Sequence, residues 1–141
     1  MALTQKHAHE CIQRGIVKAH ALGFKVAIAV VDDAGHLVAC ERMDEALWVT
    51  PEIARAKANA AAAFRSTTLD LEERFGQGRQ LFASNVAALG DYAFVFGRGA
   101  VPIVEGGRIV GAVGVSGAVP ADNDHTIADE AAGHPEPPRS R

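Results

Sequence analysis

Aromatic side chains, cysteines, surplus positive charge and long apolar runs are all scarce in this sequence. Tryptophan and tyrosine occur once each and aromatics make up 6% of the chain, so few large side chains are available to anchor a partner. Two cysteines, Cys11 and Cys40, cannot build the disulfide framework of a small secreted scaffold. The 14 lysines and arginines are scattered singly against 17 acids. A nucleic-acid binder needs a basic stripe to neutralise phosphates, and none is present. The apolar run Val26–Val31 falls far short of the roughly 20 residues that span a bilayer. Met1–His7 lacks the apolar stretch of a secretory leader. These absences lead to the expectation of a cytoplasmic protein with neither a nucleic-acid nor a membrane partner.

What the chain does have is length and alanine. At 141 residues it can bury a core without disulfides or a structural metal. A single domain over residues 1–133 is expected, with a Pro-rich, disordered tail over 134–141. Apolar residues at Ala8, Cys11/Ile12, Ile16, Ala19 and Leu22 recur at helical spacing, with Thr4 as N-cap and Gly23 as stop. Lys25–Asp32 and His36–Arg42 read as two strands joined by a tight Asp/Gly turn. Thr50-Pro51-Glu52 starts a helix running to about Phe64, with Thr50 as its cap, and Thr67 starts a short one ending near Gly76. Gly76–Gly90 gives no clear pattern and is expected to be mostly irregular. Tyr92–Phe96, Val101–Glu105 and Arg108–Ser116 read as three more strands, and Asp122-Asn123-Asp124 as the cap of a last helix. Strands gathered in hairpins imply an α+β fold with an antiparallel sheet of about five strands flanked by helices.

Several residues break their local pattern. Lys57 falls on the apolar face of its helix with Ile53, Ala60 and Phe64. A charge there must snorkel, meet a carboxylate, or line a cavity or subunit interface. By strict alternation His36, Val38, Cys40 and Arg42 share one strand face, and Arg42 is a candidate carboxylate anchor because its planar fork binds that group bidentately. Val110, Ala112, Gly114 and Ser116 share a face of the last strand, where small residues permit close approach of a helix or a flat ligand. His125, beside two acids, is a candidate titrating group. No metal-ligand spacing, nucleophile elbow, dinucleotide fingerprint or P-loop is present.

Three segments together resemble a known family. They are Val30-Val31-Asp32-Asp33-Ala34-Gly35-His36-Leu37 continuing to Arg42-Met43-Asp44, then Ala56-Lys57-Ala58 with Ala62-Ala63-Phe64, then Val110-Gly111-Ala112-Val113-Gly114-Val115-Ser116-Gly117. They are similar to the GlcG/HbpS-like family of small haem-binding or haem-degrading proteins, to which the corrinoid-adenosyltransferase C-terminal domain belongs. The resemblance implies a profilin-like fold, homo-oligomers, and haem, another tetrapyrrole or another flat anionic molecule as ligand. Arg42, Met43, Lys57, Ser116, Gly117 and His125 are the positions expected to bind it, with His36, Cys40, Met43 and His125 as potential axial ligands of haem iron. The alternative is an enzyme of aromatic or glycolate catabolism (isomerase, hydratase or decarboxylase) in which Arg42 anchors a small carboxylate and Lys57 or His125 transfers a proton.

Overall fold

A computed structural model describes residues 2–133; the tail over 134–141 expected to be disordered lies outside them. Helix α1 (Gln5–Leu22) begins where Thr4 accepts a hydrogen bond from the His7 amide, and ends at Gly23 in the left-handed conformation. Strands β1 (Ala27–Asp32) and β2 (Leu37–Arg42) follow. Their turn is held by Asp32, whose Oδ1 accepts from the amides of Ala34 and His36. Next come α2 (Thr50–Phe64), α3 (Thr68–Gly76) and α4 (Gln80–Ala87). Strands β3 (Ala100–Glu105) and β4 (Arg108–Ser116) and helix α5 (Asp122–Ala131) complete the order.

The sheet is antiparallel, with strand order β2-β1-β4-β3. Among the described residues it has four strands, fewer than the sequence pattern suggests, because Tyr92–Phe96 pairs with none of them. That segment is extended and alternates as a strand would, but it lies along α2. The Val95 amide donates to the Ala56 carbonyl and Asn59 Nδ2 donates to the Ala93 carbonyl. Its aromatic rings pack sideways: Tyr92 stacks on Phe94, Phe94 on Phe96, and Phe64 meets Phe94 and Phe96 edge-on. The stretch expected to be irregular contains α4, which makes a tilted contact to Phe75 through Phe82. Two caps also differ from expectation. Val49 precedes α2 and Ala121 precedes α5, neither with a side-chain cap bond. Thr50 lies inside the first turn and donates its hydroxyl to the Leu47 carbonyl.

Strict alternation fails at two places, both bulges. Val30 and Val31 pair with Ala39 and Leu37, leaving Val38 as the extra residue; Ile103 and Val104 pair with Gly111 and Ile109, leaving Val110. Each bulge turns a valine into the core on the α1/α5 side of the sheet. That core is aliphatic, built from residues such as Ile12, Ile28, Val113, Val115 and Ile127.

The opposite face carries α2 and is finer grained: Val31, Ala58, Ala61, Ala62, Ala100 and Ala112 form its cluster. A Cβ added at Gly114 would run into the Ala54 carbonyl oxygen and the Ala58 amide nitrogen. Helix α2 therefore rests on β4 at backbone distance, as the small residues of that strand face lead one to expect. Gly114→Ala should lower stability by roughly 1–3 kcal/mol, as overpacking does. Urea denaturation should show a lower midpoint at unchanged slope. An unchanged midpoint would mean that α2 can lift off the sheet freely.

Candidate functional site

Lys57 projects from the sheet-facing side of α2 and is 5% exposed. Its Nζ donates to the Val115 carbonyl at 3.0 Å and to Asp124 Oδ2 at 3.3 Å. Asp124 belongs to α5, which packs on the opposite side of the sheet. The ammonium passes the end of β3, where Gly99 leaves room: a Cβ there would lie 2.8 Å from Nζ and 2.7 Å from the Val115 carbonyl oxygen. Gly99 also has φ 135°, which L side chains rarely adopt. Asp124 Oδ1 accepts from the Ala118 amide at 2.9 Å. Burial pushes the Asp124 carboxyl above the usual carboxylate range, opposed by the Lys57 ammonium and by the amides of Ala118 and Gly117. Of the readings open for Lys57, it meets a carboxylate.

The turn that Asp124 holds forms the floor of a cleft of about 650 Å³. Ser116, Gly117 and Ala118 lie at its base, Ile53 and Thr50 of α2 on one side, and Phe24 and Lys25 on another. Ser116 is 7% exposed, and its hydroxyl opens on the cleft without a protein hydrogen-bond partner among the described residues.

Arg42 and Met43 line a different cleft of about 260 Å³, with Ile16, His20, Lys25, Glu41 and Asp44. Arg42 Nη1 donates to the Ala46 carbonyl at 3.2 Å, and Met43 Sδ accepts from the Val26 amide at 3.5 Å. Lys25 borders both clefts. His125 is buried on α5 and lines neither. His36 sits exposed in the hairpin turn beside Asp32, and Cys40 is exposed on the edge strand, its thiol pushed up mainly by partial burial. The residues singled out in the sequence thus separate: Lys57 lies in a buried pair, Ser116 and Gly117 at the floor of one cleft, Arg42 and Met43 in a smaller polar cleft, and His125, His36 and Cys40 in neither cleft.

The HbpS-like family model, described as haem degrading protein HbpS-like, matches residues 3–133. The chain belongs to that family. Protein GlcG of Escherichia coli K12 is 39% identical over 116 residues, covering 81% of this chain and 81% of GlcG. A double mutant of Streptomyces reticuli HbpS superposes with a TM-score of 0.82 at 27% identity, covering 94% of this chain and 86% of the other. The haem complex of PduOC superposes with a TM-score of 0.82 at 26% identity, covering 94% of each chain. These likenesses agree with the α+β fold and with membership of a family that includes haem-binding proteins. Among the described residues of this HbpS-like chain, no helix is long and apolar enough to cross a membrane.

Three residues of these sites were not singled out by sequence reasoning. Asp124 reads as one of several helix-start acids, and its partner is 67 positions away. His20 and Lys25 are ordinary polar residues at the end of α1 and the start of the hairpin, with no local signal. Lys57→Met should destabilise the fold by roughly 3–5 kcal/mol, because it strands a buried carboxylate. Adding Asp124→Leu should recover only part of that in urea denaturation, since the loop amides then lose their acceptor. A single variant as stable as the parent would contradict the pairing.

The raised pKa of Asp124 fixes a sign as well. The folded chain keeps this proton to higher pH than the unfolded chain, so the contribution is full below the ordinary carboxylate pKa and is lost as pH rises through the raised value. Carboxyl-carbon NMR should place the Asp124 midpoint above that of exposed aspartates. A midpoint at or below theirs would contradict the dominance of burial.

Proposed function

We propose that this HbpS-like chain binds haem in the cleft where His20, Lys25 and Arg42 meet. A haem site calls for an iron-ligating side chain, cations for the two propionates and some apolar surface for the ring. This cleft combines an imidazole with cationic side chains, which four other clefts compared with it do not. That combination carries the proposal. The larger cleft has none of His, Cys, Met or Tyr in its lining. The cleft lined by Tyr92 has no Lys or Arg.

His20, exposed in the last turn of α1, would supply the axial nitrogen. Arg42 has one nitrogen engaged by the Ala46 carbonyl, which fixes the guanidinium and leaves other N–H groups for a propionate. Lys25 would take the second propionate, while Ile16 and Met43 offer apolar contact. Glu41 and Asp44 share the cleft, and the two cations offset them. Bound haem would supply the redox and ligand-exchange chemistry of its iron; the chain's part is to hold and orient it. The haem complex of PduOC, on the same fold, supports the assignment of ligand class.

Titration with haem, followed in the Soret region, should saturate at one haem per chain. His20→Ala should shift the Soret maximum, and Arg42→Ala should weaken binding about tenfold, the scale of one charge-assisted hydrogen bond. Spectra and affinity identical to the parent in both variants would remove the site from consideration.

A further inference from the structure

Asn59, on the hairpin side of α2, carries a buried polar atom that the fold leaves unused. Its Nδ2 donates to the Ala93 carbonyl at 3.3 Å. That bond fixes the amide, because the swapped placement would set oxygen against oxygen. Oδ1 is then turned toward the β1–β2 turn, where a Cβ on Gly35 would lie 3.4 Å from it. It is closed off from water and accepts no hydrogen bond among the described residues. A buried acceptor left open calls for an explanation, and a ligand that brings a donor is one.

The cleft beside Asn59 narrows the class of ligand. It holds about 240 Å³ and is bounded by Gly35, Asn59, Ala63, Leu89, Tyr92 and Phe94 among others. No lining side chain carries a charge, so neither a carboxylate nor an ammonium would find a counter-ion there. Tyr92 stacks on Phe94 with ring centroids 6.0 Å apart and planes 15° apart. Such a wall favours a further aromatic ring, stacked or edge-on. The open oxygen of Asn59 attracts a donor and repels an acceptor. We propose that this cleft binds an uncharged, flat aromatic molecule of one ring or two fused rings, which donates an N–H or O–H to Asn59 Oδ1.

The donor reaches that oxygen through the wall of Leu89 and Tyr92. These side chains are 56% and 67% exposed and belong to none of the buried clusters. They flank Gly90, which has φ 48°. Exposed side chains of this kind change rotamer on the picosecond-to-nanosecond scale. The Tyr92 ring can therefore swing aside and close again over a bound molecule, while Asn59 stays tied to Ala93.

The test is an NMR titration of the full nitrogen-15-labelled chain with indole and, in parallel, with benzofuran. Benzofuran has the same shape but an oxygen in place of the N–H. Indole should bind saturably with a Kd of about 1 mM, reasonable for so small a ligand. The resonances that move should include the backbone amides of Gly35 and Phe94 and the side-chain amide of Asn59. Benzofuran should bind roughly threefold to tenfold more weakly, the worth of one hydrogen bond. Asn59→Ala should abolish this preference. Tyr92→Ala, a change at the surface, should weaken both compounds roughly threefold through loss of the aromatic contact. Should Asn59→Ala fail to fold, Tyr92→Ala and the two parent titrations still decide. None of the cleft residues lines the haem cleft, so failure of haem binding would leave these outcomes unaffected. Absence of saturable indole binding, shifts confined to other parts of the chain, equal affinity for benzofuran, a preference that survives Asn59→Ala, or unchanged affinity in Tyr92→Ala would each overturn the proposal.

Discussion

The ion pair between Lys57 and Asp124 joins the two helical layers across the end of the sheet. Helix α2 lies on one face and α5 on the other, and few side chains could bridge them. A lysine can, because its four-carbon stem packs along the apolar surface while the ammonium reaches past the strand ends. The arrangement demands small neighbours. Gly114 lets α2 settle on β4, and Gly99 leaves the gap through which the ammonium meets its carboxylate. Removing either partner strands a buried charge, whereas the pair as a unit contributes little net stability. Its main consequence is positional: the Ser116–Ala118 turn hangs from Asp124 by backbone amides.

That turn connects packing to function. It forms the floor of the larger cleft, and Lys25 links this cleft to the smaller one holding His20 and Arg42. The two clefts differ in chemistry more than in position. One offers an imidazole and a guanidinium in a polar setting. The other offers the Ser116 hydroxyl in a mostly apolar setting. Family membership speaks for the fold; the assignment of a ligand to either cleft rests on the local chemistry of this chain.

The sequence carries most of the fold where structure is local. Thr4, Gly23, Thr67 and the Asp32–Gly35 turn mark their boundaries because their caps and turns depend on residues within a few positions. Tyr92–Phe96 reads as a strand because alternation reports an extended backbone with one apolar face, and says nothing about the hydrogen-bond partner. Here the partner is a helix, through Ala56 and Asn59. The bulges at Val38 and Val110 are likewise invisible, since each depends on the register of another strand. Helix α4 hides because it buries no residue fully, which blurs its periodicity. In the site, Lys57 stands out as a charge on an apolar face, but its partner on α5 is visible only after folding. Arg42 and Met43 share a cleft although alternation sets chain neighbours on opposite faces, and His20 joins them through the tertiary packing of α1.

The central claim is that the buried pair holds the cleft floor in place, and backbone nitrogen-15 relaxation in the Lys57→Met variant tests it most directly. Order parameters for Gly117 to Ala121 should fall from the rigid range near 0.85 to below about 0.6, while those of β4 stay high. A turn as rigid in the variant as in the parent would contradict the account, because the floor would then be held by something other than Lys57 and Asp124.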